Sequence, residues 1–521
     1  MRLAKRLIRE RPALLAAGGH IAGFRSRAAD LLGSGRAASA RQKLVLASII
    51  FFLSFSIKSL QAVDLAPLMY TSEQPMNGLT LFYDSRAASI VEGKGLLIPD
   101  DQSPADTGLL AFAPGYPLYL SAIYRSLGRN FFTVQLVQNA TNSITPVLVF
   151  LLAGALVSWR VGAVAGSLSA LSHHLSYYSN FILPDALSTL PIVAATYLIA
   201  KVWEEDRQGS EASARRAYLY YGVAGVLLAA AAWLRPNAMM LAPFMMLMLV
   251  AISERRWRQL RLGAVMLVVS VLAISPITIR NYIIYREFVP ISINLGIVLW
   301  QGIGDAGGER FGAVTTDRAV GEQEIILYNN PRYGWWASPD GIQRDRDRVR
   351  RSLDVILANP LWFAGAVSWR IGEMLKYTAH APLVFRSKDT SLADQMRNAP
   401  RTYLPDLDRR PEMTDSSSLA VGEGLAWMRP LARSLQRAAK ETMPAFLFIG
   451  LALLLPLGWR NSLFILIVPF YNIFSQSPMH WEFRYTLAMH YYFFIFAAAV
   501  WVLIAVSIVR AARRLSRRAG I

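Results

Sequence analysis

The 521-residue sequence contains no cysteine and few charged residues. Without cysteine the protein cannot form disulfides, cysteine-ligated zinc sites or thiol nucleophiles. Only 17% of the residues are charged and 54% are hydrophobic, whereas soluble proteins carry roughly a quarter charged residues. A soluble multidomain protein is therefore disfavoured, and the composition indicates an integral membrane protein.

Acidic residues are scarcer than basic ones: 35 Asp+Glu stand against 54 Lys+Arg, which gives a formal net charge of +19. In a soluble protein this surplus would suggest nucleic-acid binding. In an apolar chain it is typical of cytoplasmic loops rich in Lys and Arg. We therefore expect membrane lipids, and no nucleic acid, among the partners.

The N-terminal segment lacks the pattern of a cleavable secretory leader. Its first long apolar run begins after 43 residues, ten of which are Lys or Arg, and a leader would place a short apolar core nearer the start. We expect residues 1–43 to be a basic cytoplasmic segment. Within it, the stretch Leu7–Leu32 is either an amphipathic element on an anionic membrane surface or a disordered tail.

Ten apolar runs are candidates for helices that cross roughly 30 Å of hydrocarbon. They are Leu44–Val63, Thr133–Val157, Val161–Tyr178, Ala186–Trp203, Ala217–Trp233, Asn237–Ile252, Leu262–Ile279, Pro444–Leu457, Leu463–Phe474 and Leu487–Val509. The strongly basic short connections between them fall on one side, as the positive-inside rule requires. One of these connections contains Arg255, Arg256, Arg258 and Arg261. Both termini are then cytoplasmic, and the number of spans is even.

The run Leu357–Val384 is also apolar, but it contains Arg370, Glu373 and Lys376. A span here would place the Arg-rich C-terminus outside, so we interpret the run as a juxtamembrane or amphipathic element, with a helical pair as the alternative.

The predicted fold class is an all-α polytopic membrane protein with about ten transmembrane helices, juxtamembrane helices in the first outer loop and a small mixed outer domain. Its predicted parts are the basic N-terminal segment 1–43, a transmembrane catalytic module 44–280 with the first outer loop 64–130, an extracytoplasmic region 281–441 with a juxtamembrane helix, C-terminal transmembrane helices 442–509 and a basic cytoplasmic tail 510–521.

Ionisable groups gather at the outer ends of the predicted spans, where a functional role has to be considered. Asp84 lies in the first outer loop, just ahead of a predicted short amphipathic helix, and Asp185 lies at the start of a span. Each has a structural alternative: Asp84 as a solvated cap or turn residue, and Asp185 as the N-cap of a helix beginning at Ala186. The adjacent pair His173-His174 favours interfacial hydrogen bonding over metal ligation, because metal ligands on a helix are spaced by three or four residues.

Several stretches carry a family resemblance. They are FYDSRAASIVEGKG, PGYPLYLSAIYRSLGRNFFTVQLVQNATNSITPVLVFLLAGAL, LSHHLSYYSNFILPDALSTLPIVAATYL, WLRPNAMMLAP with SPITIRNYIIYREFVPISINLGIVLWQGIG, and EFRYTLAMHYYFF. In these stretches the chain resembles the membrane glycosyltransferases of the GT-C superfamily, above all the family-39-like (PMT/ArnT-related) bacterial enzymes that use polyprenyl-phosphate sugars. The resemblance covers residues 44–310 and 480–510.

Two positions depart from that family. Many relatives have Asp-Glu in the first outer loop, whereas here Asp84 is followed by Ser85. The aminoarabinose-transferring relatives have a lysine before paired prolines, where this chain has Ala113-Pro114-Gly115. Lipid A modification is therefore disfavoured.

The resemblance implies an inverting transfer of a sugar from a polyprenyl-phosphate donor to an envelope glycan, lipid or protein, on the periplasmic face of a bacterial inner membrane. It implies Asp84 as the general base and Asp185 as a second acidic residue that orients the acceptor, the donor or a metal. The candidates for the donor phosphate are Arg235, Arg280 and Arg484. The candidates for substrate contact, with packing as their structural alternative, are Tyr83, Tyr116, His174 and Tyr485. The sequence does not establish a cofactor, although Asp and phosphate oxygens would suit a divalent cation, Mg²⁺ or Mn²⁺.

Two other functions stay open at this stage. A glycan polymerase that joins lipid-linked repeat units also has many spans and Arg-rich outer loops, but it usually carries its large loop between late spans and lacks an acidic first loop. A flippase or transporter of lipid-linked sugars would be expected to show inverted repeats and ionisable groups deep in the bilayer. In this chain those groups cluster at the outer surface, which favours an enzyme.

Overall fold

The computed structural model describes residues 30–32, 38–65, 76–95, 106–207, 213–377, 383 and 426–519. Within these ranges the chain is helical, and its β contact is an isolated bridge between Trp335 and Ser338. The predicted all-α fold class is confirmed. Most of the basic N-terminal segment, including the stretch predicted to lie on the membrane, falls outside the described residues.

The described chain up to Arg207 forms helices of 4 to 26 residues. They are α1 (Ala40–Leu65), α2 (Asn77–Val91), α3 (Gly115–Leu127), α4 (Phe131–Asn142), α5 (Ile144–Leu156), α6 (Trp159–Leu171), α7 (His173–Tyr178), α8 (Pro184–Leu187) and α9 (Thr189–Arg207). The second half continues with α10 (Ala214–Leu234), α11 (Leu241–Ile252), α12 (Arg256–Tyr285), α13 (Leu295–Asp305), α14 (Asp317–Tyr328), α15 (Gly341–Ala358), α16 (Pro360–Leu375), α17 (Arg429–Gln476) and α18 (Leu487–Ala519).

Seven helical segments of the described chain are long and apolar enough to cross a membrane. They are Ala40–Leu65, Phe131–Leu156, Pro184–Arg207, Ala214–Leu234, Arg256–Tyr285, Arg429–Gln476 and Phe483–Ser516. The protein is thus a multi-pass membrane protein, and the larger number of about ten crossings stays a prediction.

The predicted span Val161–Tyr178 is divided in the structure. Ser158 caps the N-terminus of α6 by accepting a hydrogen bond from the amide of Val161, and Ser172 does the same for α7 through the amide of Leu175. Serine hydroxyls satisfy amides that have no partner at a helix start. The break at Ser172 leaves α6 with 13 residues, a length of only about 20 Å.

Helix α17 contains two of the predicted spans, joined at a break. Gly458 has non-helical backbone angles (φ −167°, ψ 75°) and separates them. Arg429, at the start of α17, forms an ion pair with Asp64 at the end of α1. Beyond the break, Asn461 accepts a hydrogen bond of 2.6 Å from Arg207 at the end of α9. Because Asp64 and Arg207 lie at opposite ends of the bundle, α17 crosses it before Gly458 and returns after it.

Glycines allow helices of the bundle to touch through their backbones. A Cβ atom at Gly162 of α6 would lie 2.4 Å from the carbonyl oxygen of Phe150 in α5, and one at Gly450 of α17 would lie 2.0 Å from that of Phe496 in α18. Close backbone approach at small residues is a principal means of packing helices in membranes, where apolar side chains gain little by leaving lipid. These contacts hold α5 against α6 and α17 against α18.

Helices α2 and α3 and the region α13–α16 gather at the end of the bundle that contains Asp64. The amide of His480, between α17 and α18, donates to the carbonyl of Val298 in α13 over 2.7 Å. Arg370 of α16 donates to the carbonyl of Ser477 over 3.0 Å. Within α13–α16, the buried carboxylate of Glu324 binds Arg344 and Arg348. The region α13–α16 is therefore connected to the loop that precedes α18.

Candidate active site

A small cavity opens at the end of the bundle that contains Asp64, where α8, α9, α10, α11, α17 and α18 meet. Its lining is Asp185, Ser188, Thr189, Ile192, Arg235, Asn237, Ala238, Leu241, Tyr471, Asn472, Arg484, Tyr485, Leu487 and Ala488. The volume that the centre of a water molecule can reach is about 20 Å³, which is little more than one water requires. Four of the residues predicted from sequence, Asp185, Arg235, Arg484 and Tyr485, line the same cavity.

Asp185 is held inside a short helix. Leu183 is extended, Pro184 occupies the first position of α8, and Asp185 follows it in the first turn. The interpretation of Asp185 as the N-cap of a helix beginning at Ala186 is wrong, since the N-cap is Leu183 and the fixed φ of proline starts the helix one residue before Asp185. The Asp185 side chain is 2% exposed and forms an ion pair with Arg235.

Two arginines share one aromatic ring in this cavity. Arg235 ends α10 with an extended backbone (φ −142°, ψ 117°), as expected before Pro236. Its guanidinium carbon lies 4.5 Å from the centre of the Tyr485 ring. The guanidinium carbon of Arg484 lies 5.0 Å from the same ring centre. Cations are attracted to aromatic faces, so Tyr485 keeps two positive charges close together beside Asp185.

A series of ion pairs continues from Arg484 to α13. The Nε atom of Arg484 lies 2.6 Å from Oε2 of Glu482. Glu482 Oε1 lies 3.4 Å from Nε2 of His480, and Nδ1 of His480 contacts Asp305 of α13. Burial acts to raise the pKa of Glu482, but His480 and Arg484 outweigh it and lower that pKa to about 2. These successive contacts, from Asp305 through His480 and Glu482, therefore hold the guanidinium of Arg484 in position at the cavity.

We predict that the ion pairs of His480 with Asp305 and Glu482 make the free energy of unfolding depend on pH in the alkaline range. Burial acts to lower the pKa of His480, but hydrogen bonds and charges of Asp305 and Glu482 raise it from 6.5 to about 9. Because the pKa in the folded protein is raised, the stabilisation is complete below pH 6.5 and is lost as the pH rises through 9. Melting temperatures recorded across this range should fall in the wild type. The fall should be smaller for His480→Gln and should shift to lower pH for Asp305→Asn; an unchanged profile in both variants would contradict the assignment.

Asp84 lies in the middle of α2, so the helix predicted to begin after it in fact starts seven residues earlier, at Asn77. The Asp84 side chain is 1% exposed. Arg129 holds both of its oxygens, with Nε 3.0 Å from Oδ1 and Nη2 2.6 Å from Oδ2. The hydroxyl of Tyr124 donates to Oδ1 over 2.8 Å. Asp84 is not part of the cavity lining, and the structure does not bring the two acidic candidates into contact.

Tyr83 connects α2 to the cavity. Burial raises the pKa of Tyr83 to about 12, and the nearby charges of Arg235 and Arg484 act in the opposite direction. The ring of Tyr83 packs against Tyr116 of α3 with 5.1 Å between ring centres. Tyr116 is fully buried, and its hydroxyl donates to Gln138 over 2.7 Å. Tyr83 therefore lies beside the cavity, whereas Tyr116 supports it from behind.

Two other predicted residues lie outside the cavity lining. Arg280 donates to Asn281 over 2.8 Å and lies over the ring of Tyr285, both on its own helix α12. His174 is buried in an aromatic cluster, with its ring centre 5.0 Å from that of His490 and 6.1 Å from that of Phe483.

Sequence reasoning did not select Arg129, Asp305, His480 or Glu482. Glu482 opens the quoted stretch EFRYTLAMHYYFF, two positions before Arg484, and His480 lies two positions before that stretch. This spacing was a signal for a group of charges there, whereas no sequence pattern connects Arg129 with Asp84. Among the described residues, no group of three or more His, Asp or Glu side chains has the arrangement of a metal site. Asp185 is the acidic residue of the cavity lining.

Residues 112–279 match the family described as dolichyl-phosphate-mannose-protein mannosyltransferase. This range is about a third of the chain and contains Asp185 and Arg235, whereas Asp84 and Arg484 lie outside it. No curated protein matches the chain at a significant level.

Solved structures that are similar to this chain include an oligosaccharyltransferase and an ArnT protein. The oligosaccharyltransferase AglB of Archaeoglobus fulgidus, in complex with an inhibitory peptide and a dolichol-phosphate, is 14% identical with a TM-score of 0.47, over 92% of this chain and 52% of that one. ArnT of Cupriavidus metallidurans, bound to undecaprenyl phosphate, is 13% identical with a TM-score of 0.32, over 89% of this chain and 78% of that one. The chain thus spans about half the length of the archaeal enzyme. Over residues 112–279, the family match agrees with the resemblance to the GT-C membrane glycosyltransferases that the sequence carries.

Proposed function

We propose that the protein transfers a sugar from a polyprenyl-phosphate donor to an acceptor, by an inverting displacement on the outer face of a bacterial inner membrane. The observation that carries this proposal is the pairing of Arg235 and Arg484 around Tyr485, beside Asp185, at the end of an apolar helix bundle. A polyprenyl chain would remain in the lipid between the helices while its phosphate reaches the two cations. The matched family, whose members are described by a dolichyl-phosphate sugar, supports the same class of donor.

The phosphate of the donor would compete with Asp185 for Arg235. A phosphodiester carries one negative charge, and cleavage of its bond to the sugar leaves a phosphate monoester with greater charge. Two guanidinium groups placed beforehand stabilise that charge as it develops. When Arg235 turns from Asp185 to the phosphate, the Asp185 carboxylate is released into the cavity. Asp185 would then be available to orient the acceptor, the donor sugar or a divalent cation such as Mg²⁺ or Mn²⁺, whose chemistry would be to neutralise the phosphate.

Asp84 is our proposed general base. It would take the proton of the acceptor hydroxyl or amine while the acceptor atom bonds to the anomeric carbon and the electron pair of the breaking bond leaves with the phosphate. In the described structure Arg129 and Tyr124 occupy its oxygens. An acceptor must therefore displace Arg129 before Asp84 can act, so that the base is released when the acceptor is bound.

The closed cavity implies that substrates open the site. A space of about 20 Å³ cannot contain a sugar ring. Tyr485 lies against both arginines, and Tyr83 is close enough for their charges to act on its pKa. These two rings are proposed to stack on the sugar after opening. His174, Tyr116 and Arg280 would require larger rearrangements to touch it.

The positive-inside rule supports the placement of this site on the extracytoplasmic face with both termini in the cytoplasm. The end of the bundle opposite the cavity contains Arg207, Arg255, Arg258 and Arg460. The acceptor is proposed to be an envelope glycan, lipid or protein.

The proposal is tested with purified protein and a panel of radiolabelled polyprenyl-phosphate sugars, in detergent and in sealed vesicles. We expect transfer to an added envelope fraction, or slow hydrolysis of the donor without it, in both preparations. Formation of long glycan chains from lipid-linked repeat units would indicate a polymerase. Movement of labelled donor across vesicles without turnover would indicate a carrier and would contradict the proposal.

A further inference from the structure

A second cavity lies at the opposite end of the bundle, between the first turns of α10 and α12. The volume that the centre of a water molecule can reach in it is about 450 Å³, which is large enough for a lipid headgroup. Four arginines line it: Arg255, Arg256, Arg258 and Arg261. The mechanism proposed above uses none of them.

The acidic residues around this cavity are already neutralised. Asp206 lies 3.0 Å from Nε of Arg258 and 4.0 Å from Nη1 of Arg255. Glu254, the acidic residue of the lining, is paired with Arg460 of α17. Within the ranges that the structure describes, Arg256 and Arg261 are exposed and form no ion pair. The charge that faces the cavity is therefore positive.

Two features beside the arginines point to a lipid. The first turn of α12 begins at Arg256 without a side-chain cap, so that its free amides add to the attraction for an anion. Trp257 is 78% exposed and Tyr218 is 40% exposed, and both line the cavity. Trp and Tyr are enriched at the boundary between headgroups and acyl chains. Exposed aromatic rings would have no function around a free phosphate ion, whereas they suit the glycerol and upper acyl region of a lipid.

We propose that this cavity binds the phosphate headgroup of an anionic phospholipid in the leaflet opposite the candidate active site. Arg256 and Arg261 bind the phosphate oxygens together with the amides of the first turn of α12. Trp257 and Tyr218 contact the glycerol region. Basic pockets between the ends of transmembrane helices are suited to such headgroups.

The test uses the intact protein in vesicles that contain brominated phosphatidylglycerol or brominated phosphatidylcholine, since bromine quenches tryptophan fluorescence at contact. The difference in quenching between the wild type and Trp257→Phe isolates the signal of Trp257. We expect this signal to be quenched by phosphatidylglycerol at a low fraction of the lipid, and by phosphatidylcholine only in proportion to its amount. Inorganic phosphate should not reverse the quenching.

The double variant Arg256→Gln/Arg261→Gln should bind phosphatidylglycerol about thirtyfold more weakly, because each of the two side chains is proposed to contact the bound headgroup and a basic residue beside an anionic lipid contributes a factor of about five. The matched control is Arg513→Gln/Arg514→Gln, which removes two exposed arginines of α18 that do not line the cavity and should leave the affinity unchanged. Equal weakening in both double variants, equal quenching by the two lipids, or reversal by inorganic phosphate would overturn the proposal. If Arg256→Gln/Arg261→Gln fails to fold, the proposal is judged from the quenching of Trp257 alone. That signal is the difference between the wild type and Trp257→Phe, and it must be stronger with phosphatidylglycerol than with phosphatidylcholine.

Discussion

Replacing Asp84 with asparagine is expected to lower kcat for sugar transfer by about 10²–10⁴-fold, which is the usual contribution of a general base. This loss corresponds to about 3–5 kcal/mol of activation free energy. Asparagine keeps the size of the side chain and can still accept a hydrogen bond from Tyr124, but it cannot take the proton of the acceptor. Donor KM should change little, because Asp84 does not line the cavity that contains Arg235 and Arg484.

The matched variant for this prediction is Arg129→Lys. It keeps a positive charge beside Asp84 but loses the two-pronged contact of the guanidinium. We expect kcat within about tenfold of the wild type, since the carboxylate is retained. If Asp84 served only to fasten α2 to its neighbours, the two variants would lose melting temperature and activity in parallel. If purified, folded Asp84→Asn protein transferred the sugar with the kcat of the wild type, Asp84 would not be the general base.

Replacing Arg235 with lysine is expected to raise donor KM by about 10–100-fold, or about 1.4–2.8 kcal/mol in binding free energy. Lysine keeps the charge but cannot bind a phosphate through two parallel hydrogen bonds, and it fits the face of Tyr485 less well than a planar guanidinium. Because phosphate charge grows in the transition state, kcat should fall as well. Donor titrations of initial rates in detergent measure both quantities.

A suitable control for Arg235→Lys is Arg346→Lys. Arg346 is an outer arginine that pairs with Glu287 at the surface, where its side chain is 49% exposed. Its replacement should leave donor KM unchanged. A rise of donor KM in Arg280→Lys, with none in Arg235→Lys, would show that the phosphate is bound on α12 and would contradict the site described here.

Four residues of the cavity lining could be predicted from sequence because each stands at the end of an apolar run. Asp185, Arg235 and Arg484 lie at helix ends on the same predicted side of the membrane. The order and direction of the predicted spans are therefore enough to place the three residues at the same depth. Their convergence on Tyr485 depends on which faces of α10 and α18 meet, and hydropathy carries no information about that.

Arg280 shows where this reasoning fails. The apolar run ends at Ile279, and the helix was expected to end with it, but α12 continues to Tyr285. Backbone hydrogen bonds continue through the polar residues beyond the apolar run, so Arg280 lies on the side of a helix and not in a loop that can turn toward the cavity.

The partners of Asp84 and Arg484 could not be derived from sequence. Arg129 is 45 residues from Asp84, and its approach depends on how α2 packs against α3. The contact between His480 and Asp305 spans 175 positions and depends on the docking of α13 against the loop before α18. Both are tertiary contacts between elements that sequence periodicity describes only one at a time.

The most direct test of the central claim is photolabelling with a polyprenyl phosphate that carries a diazirine in the isoprene unit next to the phosphate. We expect labelled peptides to contain the cavity residues around Asp185, Arg235 or Arg484, with labelling reduced by excess undecaprenyl phosphate and by Arg235→Gln. Labelling confined to the arginine-lined cavity at the other end of the bundle, or labelling that Arg235→Gln does not change, would contradict the claim that this site binds the donor phosphate.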